Sequence, residues 1–224
     1  MDKQVVSRKW VADHGEVFTG KREVNAMLDM VKQETERIES RFLVPACGKG
    51  NFLTEILERK LYVVETRYRK SQLEYERNAV LSISSIYGID ILEDNVVECR
   101  KRLFELFDQK YSSIFKNRAK DECRSAIQFI LEKNIIWGDA LTLMTVNDNP
   151  QPIVFSEWSP VKGSFFKRRD FAFHELFPKK EKRQLSFFSK PDQLFYSDLG
   201  NEVFLPSPVK DYPLTYFMRI DNVQ

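Results

Sequence analysis

A glycine-rich loop is the part of this chain whose residue types and spacing are most suited to binding a ligand. Gly48 and Gly50 follow a short apolar run at 42–44 and precede a helical pattern at 51–60. Glycine lets the backbone approach a ligand closely, and the first N–H groups of a helix point at its polar end. The sequence therefore predicts a strand, a turn and a helix that together form a nucleotide-type binding site.

Two aspartates follow apolar runs in a similar way. Asp90 ends the run 86–89, and Asp139 comes shortly after the run 134–137. A carboxylate can accept hydrogen bonds with both oxygens. In an open α/β sheet, ligands bind beyond the carboxyl ends of the strands. We therefore expect both aspartates to share one crevice with the glycine loop.

The pattern of apolar residues predicts alternating helices and strands. Helices are predicted at 21–38, 51–60, 71–84, 93–109 and 121–132, and strands at 42–44, 86–89, 134–137 and 153–155. Strands with this apolar content favour a parallel sheet with helices on both faces. Beyond residue 155 the pattern indicates an irregular, antiparallel tail, with short strands at 185–188, 194–196, 203–205 and 214–220.

The composition is that of a folded globular protein. The chain has 224 residues, of which 42% are hydrophobic and 13% aromatic, and its net charge is +2. Its three cysteines are odd in number and widely spaced, which predicts neither a disulfide framework nor a metal site and favours a cytoplasmic location. We expect no signal peptide and no membrane-spanning segment.

Four patches in order resemble motifs of the S-adenosylmethionine-dependent DNA methyltransferases that methylate the adenine amino group. They are GEVFT (15–19), VPACGKGNF (44–52), IYGIDI (86–91) and NIIWGDAL (134–141). The resemblance covers residues 14–158 and implies a Rossmann-like α/β sheet that binds S-adenosylmethionine. Val44 stands where the family usually has an acidic residue, and Glu16 is a candidate to compensate for it.

The resemblance assigns a cofactor role to residues in all four patches. Gly48 and Gly50 would lie under the methionine part, Asp90 would accept from two ribose hydroxyls, and Asp139 would accept from the adenine amino group. The full set of implied cofactor-binding residues is Phe18, Thr19, Pro45, Ala46, Gly48, Gly50, Asn51, Phe52, Asp90, Ile91, Asp139 and Ala140.

Each role has a plainer alternative. Asp90 could cap the helix at 93–109, Asp139 could simply complete a turn, and Ile91 and Phe18 could be ordinary core residues. Cys47 is interpreted as a small packing residue, since no base is evident near it in the sequence.

The catalytic motif of the family is degenerate here. The predicted fourth strand leads into Ser156, Glu157 and Trp158, without the two prolines of the family pattern. The resemblance would have Ser156 and Glu157 orient a base amino group while Trp158 stacks on the flipped base. The alternatives are an exposed carboxylate at Glu157 and a tryptophan that fills the sheet edge.

Basic residues cluster in the tail, in Lys162, Lys167, Arg168 and Arg169 and again in Lys179, Lys180, Lys182 and Arg183. They could hold DNA phosphates or form a solvated surface.

The sequence thus predicts a methyltransferase core at 1–158 and a basic C-terminal extension at 159–224. We expect transfer of a methyl group from S-adenosylmethionine to adenine in DNA, in a restriction-modification setting with DNA and possible recognition-subunit partners. The alternative is a catalytically inactive, cofactor-binding subunit or DNA-binding regulator.

Overall fold

A computed structural model describes residues 19–176, 195–196, 202–203 and 206–223. The helices are α1 (Lys21–Asp29), α2 (Lys32–Thr35), α3 (Asn51–Tyr68), α4 (Gln72–Ser84), α5 (Glu93–Phe115) and α6 (Asp121–Asn134). The strands are β1 (Phe42–Val44), β2 (Ile86–Asp90), β3 (Ile135–Asp139), β4 (Met144–Thr145), β5 (Val154–Lys162), β6 (Phe165–Ala172), β7 (Phe195–Tyr196), β8 (Glu202–Val203), β9 (Lys210–Asp211) and β10 (Thr215–Tyr216). Short 3-10 helices span Lys116–Arg118, Phe173–Leu176 and Phe217–Asn222.

The fold is mixed α/β and is built around a sheet with the strand order β1-β2-β3-β4. The first three strands are parallel, and β4 runs antiparallel to β3. Helices α3 and α4 connect β1 to β2, and α5 and α6 connect β2 to β3. The carboxyl ends of β1, β2 and β3 therefore lie at one edge of the sheet, as the sequence predicts.

Helices α3 to α6 cover one face of this sheet. Phe42, Ile86 and Ile135 pack on that side in the main hydrophobic core, together with Leu53 of α3 and Val96 of α5. Crossovers that step in one direction across a parallel sheet share a handedness, so they fall on the same face. Each crossover here contains two helices, and all four contribute to this layer.

The opposite face is covered by the base of a β-hairpin and by the 3-10 helix that follows it, in contrast to the predicted second helix layer. Tyr87 and Ile89 of β2 point to this side and pack against Ile153, Phe155 and Phe173. The sequence places 153–155 as a fourth parallel strand, but the structure pairs β5 with β6 in an antiparallel sheet of its own. The chain never reverses direction across the parallel sheet within the described residues, so no α-helix among them is carried to this face.

The hairpin contains a buried ion pair that the sequence pattern obscures. Along β6 the buried positions alternate, and they include Phe166, Arg168, Asp170 and Ala172. Arg168 and Asp170 pair with each other at 2.8 Å between Nη2 and Oδ2. Because two charged residues occupy the inward positions, the composition of this segment is typical of a solvated basic loop and not of a buried strand.

Other boundaries differ in smaller ways. The single helix predicted at 21–38 ends at Asp29 and resumes as the short α2. Val24, Leu28 and Ile38 of its apolar residues reach the core, whereas Met27 and Val31 stay exposed. The predicted antiparallel tail is present in β9 and β10, which pair with β6. The predicted strand at 185–188 lies outside the described residues, and the predicted boundary at 158 falls inside β5.

None of the helices in the described ranges combines the length and the apolar character that crossing a bilayer requires.

Candidate functional site

The loop after β1 is held by its backbone and by close packing. Cys47 N–H donates to the carbonyl of Ile89 at 2.9 Å, which keeps the loop on β2. Gly48 and Gly50 have φ angles of 53° and 83°. A Cβ atom at Gly50 would lie 2.6 Å from Cys99 Sγ, whereas nothing lies within 4 Å of a Cβ at Gly48. Gly50 is thus required by packing, and Gly48 borders open space where a ligand can approach.

Asp90 connects this loop to the end of β2. Its Oδ2 accepts from Gly48 N–H at 2.7 Å, and its Oδ1 accepts from Leu92 N–H at 3.0 Å and Asn95 Nδ2 at 3.1 Å. A carboxylate has about four acceptor positions, so the described residues leave one of them open on Oδ2. Asp90 therefore has capacity for one further donor, where the sequence predicts two ribose hydroxyls. It does not cap α5, since that helix begins at Glu93 with Leu92 at its N-cap position.

Asp139 ends β3 at the same edge and is half-buried. Its Oδ1 accepts from Leu141 N–H at 2.8 Å, which completes the turn that the plainer alternative foresees. No described residue donates a hydrogen bond to Oδ2. The turn role and a ligand role are therefore compatible, because one carboxylate oxygen is unused.

The residues around these two carboxylates are accessible. Ile91 is 56% exposed, so it is not an ordinary core residue, and the indole Nε1 of Trp137 donates to its carbonyl at 3.0 Å. Pro45 and Ala46 are exposed, and Ala140 is half-buried. The edge therefore offers apolar surface beside acceptor groups, which suits an aromatic base attached to a polar ribose.

Helix α3 begins directly at the glycine loop. Its N-cap is Gly50 in the left-handed conformation, with no side chain capping the first turn. The N–H groups of that turn are available to an anionic ligand group. Phe52 is half-buried against the main core.

The upstream patch is described only at its end. Thr19 lies close to the loop, since its carbonyl accepts from Asn51 Nδ2 at 3.2 Å. Phe18 and Glu16 lie outside the described residues, so their predicted roles stay predictions.

The sequence interpretation missed a polar stripe on α5 that faces the loop. Asn95 bonds Asp90, Cys99 lies beneath Gly50, and Arg102 Nη1 donates to the carbonyl of Lys49 at 2.5 Å. The spacing of 95, 99 and 102 is i, i+4, i+7, which places the three on one helical face. That spacing was the available signal, although only apolar positions were used to interpret this helix.

Cys47 is a packing residue, in keeping with its interpretation from sequence. A hydrogen bond with Cys99 and burial both raise the pKa of the Cys47 thiol, so the thiolate is disfavoured. Among the described residues, no cluster of His, Cys, Asp and Glu could hold a metal ion.

The three predicted catalytic residues lie away from this edge, inside β5. Ser156 is 2% exposed, and its Oγ donates to Asp170 Oδ1 at 2.7 Å and accepts from Arg168 Nε at 3.1 Å. Glu157 pairs with Arg41 and with Arg169, and Arg41 directly precedes β1. The structure therefore places Glu157 at the amino-terminal edge of the sheet, opposite the glycine loop.

Trp158 is buried at that same amino-terminal edge. Its ring packs edge-on against Phe129 of α6 at 6.1 Å between centroids, and the Arg168 guanidinium lies over it at 5.4 Å. It lines a small cleft with Arg41 and Ser85, which precede β1 and β2. Trp158 therefore fills space at the sheet edge, as the plainer alternative for this residue predicts. Glu157 is not an exposed carboxylate, so its plainer alternative is wrong.

A buried lysine also marks the amino-terminal edge. Lys60 Nζ donates to the carbonyls of Ile38 at 3.0 Å and Ser40 at 2.5 Å and to Ser85 Oγ at 2.6 Å. All three of its donors are thereby used. Burial lowers the pKa of Lys60 to about 7, although Glu39 and Glu34 act in the opposite direction.

The first basic cluster is largely neutralised within the protein. Arg168 pairs with Asp170, Arg169 with Glu157, and Lys167 with Asp211. Lys162 is exposed, and the second cluster at 179–183 lies outside the described residues. The described part of the tail therefore offers little free positive charge for phosphates.

Comparison with known proteins gives no relative: no protein-family model, no curated protein and no solved structure matches this chain.

Proposed function

We propose that this chain binds S-adenosylmethionine at the carboxyl-terminal edge of its parallel sheet, in a Rossmann-like arrangement. The proposal is carried by one observation. At one edge, three successive parallel strands bring together three groups. They are a glycine loop that borders open space, a carboxylate bonded to that loop, and a carboxylate with one oxygen that no described residue bonds.

The chemistry of these groups fits the cofactor part by part. The uncapped first turn of α3 suits the methionine carboxylate, and the spare position on Asp90 Oδ2 suits one ribose hydroxyl. Asp139 Oδ2 is available for the adenine amino group, and the exposed Ile91 side chain offers an apolar contact for the ring. When bound, the cofactor would supply an electrophilic methyl group.

We propose that the chain serves as the cofactor-binding part of an adenine-type DNA methyltransferase. Ser156 and Glu157 are engaged with Asp170, Arg41 and Arg169 at the other edge, so they are poorly placed to orient a base amino group. The acceptor-orienting groups would then come from outside the described residues or from a second polypeptide that reads DNA.

A second candidate is a cofactor-binding regulator that performs no chemistry. The saturated hydrogen bonding of Ser156 and the burial of Trp158 favour it, since both residues have clear structural roles. The two candidates share the same cofactor site and differ only in whether methyl transfer occurs.

Calorimetry with S-adenosylmethionine and its demethylated product tests the shared site. We expect binding, and at a hundredfold excess over the dissociation constant we expect about 2.7 kcal/mol of added stability. Asp90→Asn should weaken binding at least tenfold, whereas Asp94→Asn, an exposed acid in the first turn of α5, should not. Failure of the wild-type chain to bind at millimolar ligand would overturn the proposal.

Transfer of labelled methyl groups to DNA of varied sequence separates the two candidates. Methyl label on adenine, produced by the chain alone or together with a partner protein, supports the methyltransferase. The Asp90→Asn variant should then give no labelled DNA. Cofactor binding with no labelled DNA under either condition supports the regulator.

A further inference from the structure

Arg102 of α5 contacts two groups of the cofactor loop at once. Its Nη1 donates to the carbonyl of Lys49 at 2.5 Å and to Oδ1 of Asn51 at 2.9 Å. Lys49 lies between the two glycines, and Asn51 is the first residue of α3. One guanidinium therefore fixes both the loop and the start of the helix that follows it.

The contact with Arg102 also sets the orientation of the Asn51 side chain. Because Arg102 can only donate, it requires the oxygen of the Asn51 amide. The Nδ2 group is then turned outward, where it donates to the carbonyl of Thr19 at 3.2 Å. A continuous series of hydrogen bonds runs from α5 through the loop to the segment before α1.

We infer that Arg102 is a positioning residue that orients the amino-acid-binding end of the cofactor site. This inference rests on the proposed function. Lys49, Asn51 and Thr19 all lie around the first turn of α3, where the methionine part of S-adenosylmethionine is proposed to bind, whereas Asp90 and Asp139 serve the adenosine part. The loss of Arg102 should therefore affect the two halves of the ligand unequally.

The test measures two ligands by calorimetry: S-adenosylmethionine and 5′-methylthioadenosine, which keeps the adenosine and the sulfur but lacks the amino acid. Arg102→Met should raise the dissociation constant of S-adenosylmethionine at least tenfold and that of 5′-methylthioadenosine less than twofold. Arg102→Lys, which keeps a donor and the charge, should restore part of the affinity. Lys101→Met is the matched control, since Lys101 is an exposed neighbour on the same helix, and it should change neither constant.

The relay through Asn51 has its own test. If Arg102 acts mainly by orienting that amide, Asn51→Ala combined with Arg102→Met should bind S-adenosylmethionine within twofold of Arg102→Met alone. Fully additive losses would overturn the relay.

The outcomes separate this inference from the proposed function. Equal weakening of both ligands in Arg102→Met, or no weakening of either, overturns the positioning role while leaving the cofactor site in place. Unchanged denaturant unfolding of Arg102→Met would show that a selective loss of affinity in that variant is not caused by unfolding. A wild-type chain that binds neither ligand overturns the proposed function itself.

Discussion

The two edges of the parallel sheet carry similar polar residues in different states of hydrogen bonding. At the amino-terminal edge, all three donors of Lys60 are used, and Glu157 is held between two arginines. At the carboxyl-terminal edge, the described residues leave one acceptor position of Asp90 and one oxygen of Asp139 without a donor.

The difference indicates which edge is built for stability and which for a ligand. Polar groups that satisfy one another in the interior contribute to folding and specificity of packing. Groups with spare hydrogen-bonding capacity beside open space can exchange water for a ligand. The comparison assigns Ser156 and Glu157 to the first kind. Trp158 is held there by packing, because none of the described residues accepts a hydrogen bond from its indole Nε1. Variants that change stability where a change in binding is expected, or the reverse, would contradict this assignment.

The largest expected effect is on stability, from the buried pair in the hairpin. Arg168→Met leaves Asp170 as an unpaired buried charge, which costs about 3–5 kcal/mol. Denaturant unfolding measures this loss, with Lys162→Met as the exposed control on β5. A loss below about 1 kcal/mol would contradict the structural role of the pair.

The second prediction compares the two glycines of the loop. Alanine at either position carries about 1–2 kcal/mol of left-handed backbone strain. Gly50→Ala adds an overlap with Cys99, which costs about 1–3 kcal/mol more. In urea unfolding, Gly50→Ala should have a clearly lower free energy of unfolding than Gly48→Ala. Equal losses of stability would show that the Cys99 side chain moves aside at no cost.

The third prediction separates stability from binding at one residue. Ser156→Ala removes a hydroxyl that bonds both members of the buried pair, so we expect a loss of about 1–2 kcal/mol. Because Ser156 lies away from the glycine loop, the affinity for S-adenosylmethionine should stay within twofold of wild type. A tenfold weaker affinity with unchanged stability would show instead that Ser156 takes part in ligand binding.

The fourth prediction is a pH dependence of stability from Lys60. Its folded pKa of about 7 lies below the ordinary value of 10.5, so above pH 7 the unfolded state binds the extra proton. The free energy of unfolding contributed by Lys60 therefore rises with pH between about 7 and 10, by at most about 1.4 kcal/mol per pH unit. Denaturant unfolding of the wild type and of Lys60→Met at pH 7 and 9 measures this contribution. If the stability of both proteins changes with pH in the same way, the assigned role of Lys60 is wrong.

Local signals in the sequence were sufficient for the helix layer and its strands. β1 matches its predicted residues, and α4 and α6 differ from prediction by at most two residues at either end. α3 and α5 begin where they were predicted, but they continue to Tyr68 and Phe115, well beyond the predicted ends at 60 and 109. These elements have apolar residues at the period of their secondary structure, so burial follows from the pattern. Asp90 and Asp139 were placed correctly for the same reason, since each simply ends a buried strand.

The hairpin could not be predicted, because its inward positions are charged. Arg168 and Asp170 satisfy each other only once β6 is folded, and their separation of two places them on one face only if a strand is already assumed. In the sequence, residues 153–158 resemble a strand and a catalytic loop more than the first strand of such a hairpin. Arg102 was missed because a lone arginine on a helix most often lies in solvent, and its partners are 51 and 53 residues away.

The positions of two tryptophans give each edge its own optical reporter. Trp137 is half-buried and hydrogen-bonded to the loop at Ile91, so its emission should respond to ligand. Trp158 belongs to β5 of the hairpin and packs against Phe129 of α6, so its emission should respond to the hairpin detaching from that helix. With Trp10, outside the described residues, replaced by phenylalanine, single-tryptophan variants would allow ligand titration and unfolding to be followed separately in one cuvette.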